Sequence, residues 1–156
     1  MRIRLAVPSE AEHLWVIRNQ AIRLGCRESI DEDVIKAWTP YTMPESYRNM
    51  IEENPFFVAV DEHNIAIATG FLNLKQKSVD AIFTLPEYTG FGAAGLIIDV
   101  IKYEAKQRGI KQLTLESTLN AERFYQKHGF RSQNIGTYYS ALAKAYLPCI
   151  NMCLSL

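Results

Sequence analysis

The sequence predicts a single α/β domain, α+β in composition, in which a mixed sheet carries helices on both faces. Three observations lead there. Segments with a period of two and segments with a period of 3.6 follow one another in the order β-α-α-β-β-β-α-β-α-β-β. A chain of 156 residues at 48% hydrophobic content builds one core, and no repeat, low-complexity run or long linker divides positions 1–156. The most regular amphipathic stretch follows a strand through a glycine-containing connection, tying a sheet strand to a covering helix.

Arg2–Val7 alternates charged residues with Ile3, Leu5 and Val7, the pattern of a half-buried strand. Ser9 with Glu12 has the spacing of a capping box that opens a helix. Ala11, Leu14, Trp15, Ile17, Ala21 and Ile22 supply its apolar face, and Gly25 its stop. Ser29 with Glu32 repeats the capping spacing for a helix that must end near Trp38, ahead of Thr39-Pro40. A short helical stretch spans Glu45–Glu52. Phe56–Asp61 and Ile65–Leu74 form two strands around the turn Glu62-His63-Asn64, and Val79–Leu85 a third that stops at Pro86. Ala93–Arg108 is a helix with Leu96, Ile97, Val100, Ile101 and Ala105 on one side and Asp99, Lys102, Lys106 and Gln107 on the other, ended by Gly109. Gln112–Ser117 is a strand and Ala121–His128 a short helix ended by Gly129. Strand from Phe130 and strand at Leu147–Leu154, beyond the Tyr138–Tyr146 stretch, finish the sheet.

Bulk properties narrow the function classes. Seventeen basic and 17 acidic residues balance, which disfavours a nucleic-acid or anionic-membrane partner. The three cysteines, Cys26, Cys149 and Cys153, form no CxxC pair. Four residues apart on one strand, Cys149 and Cys153 are separated by about 13 Å and cannot bridge. His13, His63 and His128 show no metal-ligand spacing with them, so no metal is expected. Met1-Arg2-Ile3-Arg4-Leu5 begins an alternating strand rather than a signal peptide, and no apolar run approaches the ~20 residues of a membrane span. The expected location is cytoplasmic, with reduced thiols.

One segment points to a ligand: Leu85-Pro86-Glu87-Tyr88-Thr89-Gly90-Phe91-Gly92-Ala93-Ala94-Gly95. Its glycines allow the backbone to bend and to approach a ligand closely. The first amides of the following helix have no intrahelical acceptor, and the helix dipole favours negative charge there. A phosphate or pyrophosphate suits such a place, although a glycine-rich connection that merely packs has the same composition. The loop is not a Walker A loop, which needs Gly-Lys-Ser/Thr, nor a Rossmann loop.

A second segment, Glu116-Ser117-Thr118-Leu119-Asn120-Ala121-Glu122-Arg123-Phe124-Tyr125-Gln126-Lys127-His128-Gly129-Phe130, resembles the closing motif of the GNAT superfamily of acyl-CoA-dependent N-acyltransferases. That motif is Asn-Ala, then Phe-Tyr, then Gly-Phe. The loop Thr89-Gly90-Phe91-Gly92-Ala93-Ala94 is similar to the family's Gln/Arg-x-x-Gly-x-Gly/Ala cofactor loop. Order and spacing of the two motifs match, and the resemblance extends from Arg2 to the last strand. Thr89 stands where Gln or Arg is usual, and Phe91 where a basic residue is frequent. Those departures remove a charge-assisted contact of about 1.5–3 kcal/mol but leave the backbone amides in place.

The resemblance implies a GNAT-like acyl-CoA N-acyltransferase fold with a splayed central sheet, and acetyl-CoA as co-substrate. It implies that the pantetheine arm pairs with the backbone of Ile82, Phe83 and Thr84 as an added strand would. The pyrophosphate falls to Thr89, Gly90, Phe91, Gly92, Ala93, Ala94 and Gly95. Asn120 is assigned to the pantetheine amides; the same residue also suits a plain helix N-cap. Tyr125 is implied as general acid to the departing thiolate, protonated at neutral pH with an ordinary pKa of about 10, roughly matched to a thiol. Packing beside Phe124 is its alternative. Asp80 and Glu116 are candidate bases acting through water, or simply solvated strand-end carboxylates. An amine that loses its proton to solvent needs neither.

The acceptor side falls to Leu24–Tyr47, with Cys26, Arg27, Trp38, Tyr41 and Tyr47. The aromatics either line a pocket or belong to the core, and no motif places a histidine beside Cys26 to make it a nucleophile. The expected partner is a small-molecule primary amine, with no nucleic acid and no membrane. The apolar C-terminal strand is compatible with a central position or with a homodimer. A non-catalytic acyl-CoA sensor and a protein or peptide N-acetyltransferase remain the other readings of this fold.

Overall fold

The computed structural model describes residues 1–156. Seven strands and five helices alternate along the chain: β1 Arg2–Leu5, α1 Ala11–Gly25, α2 Glu32–Trp38, α3 Glu45–Glu53, β2 Phe56–Val60, β3 Ala66–Asn73, β4 Ser78–Thr84, α4 Ala93–Gln107, β5 Gln112–Ser117, α5 Glu122–Lys127, β6 Arg131–Ser140 and β7 Ala145–Ser155. They form one mixed sheet in the order β1-β2-β3-β4-β5-β7-β6.

The alternation within β2 divides the molecule into two faces. Phe57 and Ala59 point to the α4 side, where they join Ile97, Ile98, Ile101, Leu113 and Tyr125. Phe56, Val58 and Val60 point to the α1 and α3 side, with Leu14, Trp15, Ile17 and Tyr47. Each fully buried isoleucine of α4 contributes about 1.5–3 kcal/mol. In α4, Leu96 is exposed and Ile98 takes the buried place expected of it. A helix that caps one face of a twisted sheet buries a stripe slightly rotated from the best sequence stripe. Leu5 and Val7 are likewise exposed, because β1 is a short edge strand paired only with β2.

Neither capping box forms. The chain enters α1 through a 3₁₀ turn at Pro8–Glu10, and Glu10 Oε1 accepts the Val7 amide at 2.9 Å. Arg4 clamps the same carboxylate at 2.9 and 3.1 Å. Pro8 favours a helical start, so the entrance lies ahead of Ser9, and Glu12 instead pairs with Arg48. Before α2, a tight turn takes Ser29, whose Oγ donates to the Cys26 carbonyl at 3.4 Å; Asp31 becomes the N-cap. The helix expected over Ala121–His128 is shorter, because a 3₁₀ turn at Leu119–Ala121 forms its first part. The apolar strand β7 is internal, paired with both β5 and β6.

Candidate active site

The central strands part company. β4 and β5 run parallel, yet their ladder holds a single pair, Ser78 with Thr114. Beyond it the β5-facing edge of β4 has no strand partner, leaving Ile82, Phe83 and Thr84 with unpaired backbone on that side. On the other edge β4 stays attached to β3, with Thr69 opposite Phe83 and Phe71 opposite Asp80. The extra residue between those pairs is a bulge at Ala81, whose φ is +56°. A left-handed alanine costs roughly 1–2 kcal/mol. Thr69 stabilises it by donating its Oγ1 hydrogen to the Ala81 carbonyl at 2.9 Å. Gly70 makes room, since a Cβ there would stand 2.3 Å from Ile82 Cδ1.

At the far end of β4 the chain turns through Pro86–Tyr88 and enters α4. Gly90 and Gly92 have φ of +88° and +87°, so both positions need a residue at ease in the left-handed region. Gly92 is the N-cap, and the first intrahelical bond runs from the Leu96 amide to its carbonyl at 3.1 Å. The amides of Ala93, Ala94 and Gly95 therefore point out of the helix start without helical partners. Thr89 turns its hydroxyl back onto the Pro86 carbonyl, and Phe91 is 68% exposed, so neither adds a charge to the loop. The His128 ring packs against Gly95, with Cε1 at 3.0 Å from the position a Cβ would take.

Tyr125 lies on α5 and packs into the cluster that holds Val79 of β4 and Leu113 and Leu115 of β5. It is buried, with edge-on contacts to Phe124 at 5.1 Å and Phe130 at 6.0 Å. Its hydroxyl has no hydrogen-bond partner in the chain, yet it is not among the polar atoms shut off from solvent. Burial, reinforced by the charge of Asp80, pushes its pKa above the ordinary tyrosine value. The expected match to a thiol is thus corrected: the group is a weaker acid than a free tyrosine and remains protonated. Asp80 itself accepts hydrogen bonds from Asn73 Nδ2 and Ser78 Oγ, both at 2.9 Å.

Glu116 sits apart from Asp80, near the open end of β5, opposite Asn151. The Cys149 thiol lies 3.8 Å from its Oε2, and Tyr138 feels its charge. Asn120 is not a helix cap: Thr118 caps the 3₁₀ turn, Ala121 caps α5, and neither uses a side chain. Its amide side chain instead meets the end of α1, with Nδ2 at 2.8 Å from a Cβ built on Gly25 and Oδ1 at 3.9 Å from Cys26 Sγ. The C-terminus of α1 thereby lies across to the β5–α5 connection.

Within the expected acceptor segment the outcome is divided. Tyr41 is 93% exposed and Arg27 is exposed, so neither lines an enclosed site. Trp38 and Tyr47 are buried. Burial pushes the Cys26 thiol up to about 11, which is the opposite of nucleophile activation. Three residues enter that the sequence reading passed over: Arg18, between Trp15 and Trp38; Tyr138, whose ring stands 6.3 Å from Trp38; and Thr69. Arg18 had a signal, since it occupies the same helical stripe as Leu14, Trp15 and Ile22.

A split mixed sheet, a bulged strand with a free edge and an anion-receptive helix start define an acyl-CoA-type acyltransferase. Comparison with known proteins agrees: residues 26–152 match the family described as the acetyltransferase (GNAT) domain. The chain belongs to that family and is an acetyl-CoA-dependent N-acetyltransferase. The uncharacterized N-acetyltransferase YafP of Escherichia coli strain K12 is 25% identical over 134 residues, covering 85% of this chain and 82% of that protein. A GCN5-related N-acetyltransferase from Rhodopseudomonas palustris superposes with a TM-score of 0.89 at 20% identity, over 99% of this chain and 95% of that one. The PaiA N-acetyltransferase of Thermoplasma acidophilum, solved with coenzyme A, gives 0.80 at 17% identity over 99% and 98%. No helix is long and apolar enough to cross a membrane.

Proposed function

We propose that the chain acetylates the primary amine of a small molecule in the cytoplasm, by direct attack of the neutral amine on the thioester of acetyl-CoA. The pantetheine arm lies along the free edge at Ile82–Thr84, and the pyrophosphate takes the amides at the start of α4. Asn120 bonds the pantetheine amides from the opposite wall. As the amine nitrogen bonds to the carbonyl carbon, the carbon–sulfur bond breaks and the thiolate takes the proton of Tyr125. Solvent restores that proton. The surplus proton of the amine leaves by water, past Glu116 at the open end of β5 rather than past Asp80, whose two oxygens already hold Asn73 and Ser78.

The observation that carries this reading is the state of Tyr125: a buried ring whose hydroxyl stays protonated, has no partner in the chain and keeps access to solvent, in the core shared by β4 and β5. A buried tyrosine ordinarily gives its hydroxyl to an acceptor; that of Tyr125 is unpartnered and open to a ligand, whereas that of Tyr47 is sealed in the core. A small acceptor is favoured over a protein by the recessed guanidinium of Arg18, a residue only 9% exposed, between Trp15 and Trp38. Release of free thiol from acetyl-CoA against a panel of amines tests it. Turnover with at least one small amine is expected. Thermal stabilisation by acetyl-CoA with no turnover on any amine contradicts it in favour of a sensor, and turnover confined to peptides contradicts it in favour of a protein acetyltransferase.

A further inference from the structure

Arg18 is a buried cation without a counter-ion. It is only 9% exposed, and it takes part in none of the ion pairs of the protein. Its guanidinium lies over the Trp15 ring at 4.2 Å and beside Trp38 at 5.8 Å. Burial pulls its pKa down to about 10, so it is still charged at neutral pH. Desolvating a guanidinium costs several kcal/mol that aromatic faces return only in part.

Its hydrogen bonds are one-sided. Nη1 donates to Asn19 Oδ1 at 2.7 Å and to the Trp38 carbonyl at 3.0 Å. Nε and Nη2 meet no acceptor, and these two nitrogens form the parallel fork that fits a carboxylate. The Tyr47 hydroxyl is the one side-chain polar atom shut off from solvent without a partner. Nε and Nη2 are therefore not shut off, and Arg18 keeps its residual exposure.

The position is also the right one. Phe83 of the cleft strand packs against both side-chain clusters that flank Arg18. Tyr138 packs on Trp38 at 6.3 Å, and Trp38 lies 5.8 Å from the Arg18 guanidinium, so β6 borders the same neighbourhood. We propose that the acceptor is an amine that also carries a carboxylate, an amino acid or a close derivative, and that the Nε–Nη2 edge of Arg18 binds that carboxylate. This inference rests on the amine-acetylation reading above and names the substrate class of the same site.

The test compares matched acceptors: the standard amino acids, β-alanine and γ-aminobutyrate, each against its uncharged carboxamide. Values of kcat/KM are corrected for the fraction of free amine. The wild-type protein is expected to prefer the acid by about 100-fold, the value of a charge-assisted pair. Arg18→Met should abolish that preference, acid and carboxamide then being used equally whatever their common rate, and Arg18→Lys should keep about a tenth of it. Equal use of acid and carboxamide by the wild type overturns the inference and leaves amine acetylation standing. A preference that survives in Arg18→Met also overturns it, because the carboxylate is then read elsewhere. Absence of turnover on every amine removes both proposals together. Should Arg18→Met fail to fold, the wild-type pairs and Arg18→Lys decide.

Discussion

The two halves of the site are built from different material. The coenzyme half, as proposed, is backbone: the free edge of β4 and the amides that follow Gly92, with Thr89 and Phe91 contributing no charge. The acceptor half, as proposed, is side chain: Arg18 from α1, Trp38 from α2 and Tyr138 from β6, with Phe83 packed against the Trp38 cluster. A backbone site tolerates side-chain change and is disabled by a change of φ. A side-chain site behaves in the opposite way, and this sets how specificity can vary without loss of the coenzyme.

Substitutions sharpen that contrast. The largest effect belongs to Tyr125→Phe, which serves both halves: turnover should fall by about 10²-fold with acetyl-CoA affinity unchanged, as steady-state rates and calorimetry would show. Gly92→Val forces a β-branched residue to a φ of +87°. The KM for acetyl-CoA should rise roughly 5–30-fold, equivalent to 1–2 kcal/mol, while the acceptor KM stays put. Thr89→Arg returns a charge to the loop and should lower the KM for acetyl-CoA by roughly tenfold at low ionic strength, the gain fading with added salt. Thr69→Val removes the hydrogen bond to the Ala81 carbonyl, worth about 1 kcal/mol, and should lower kcat by about fivefold with little change in either KM. Cys26→Ser should alter neither parameter by more than about twofold, since a buried thiol with a raised pKa does no chemistry.

The same contrast explains what the sequence could reveal. Gly90 and Gly92 announce their conformations by their identity, and the helix start after them follows from local pattern. Asn120, Tyr125 and the Gly129-Phe130 pair lie within one short segment, so their order carried the family resemblance. The bulge at Ala81 left no such trace, because alanine does not advertise a positive φ. Nor did the acceptor half: Arg18 and Tyr138 are 120 positions apart, and only packing brings Trp38 between them. Tyr41 and Tyr47 look alike in sequence, yet one faces solvent and the other the core. The capping boxes failed for a local reason, since Pro8 and the turn at Cys26–Ile30 moved both helix starts.

The central claim is that Tyr125 protonates the coenzyme A thiolate at the fork of β4 and β5. A crystal structure with coenzyme A bound measures this directly, as the distance from the Tyr125 hydroxyl to the thiol sulfur. The account predicts hydrogen-bond reach, with the pantetheine along Ile82–Thr84. A sulfur placed elsewhere, with Tyr125 still packed out of its reach, would contradict it.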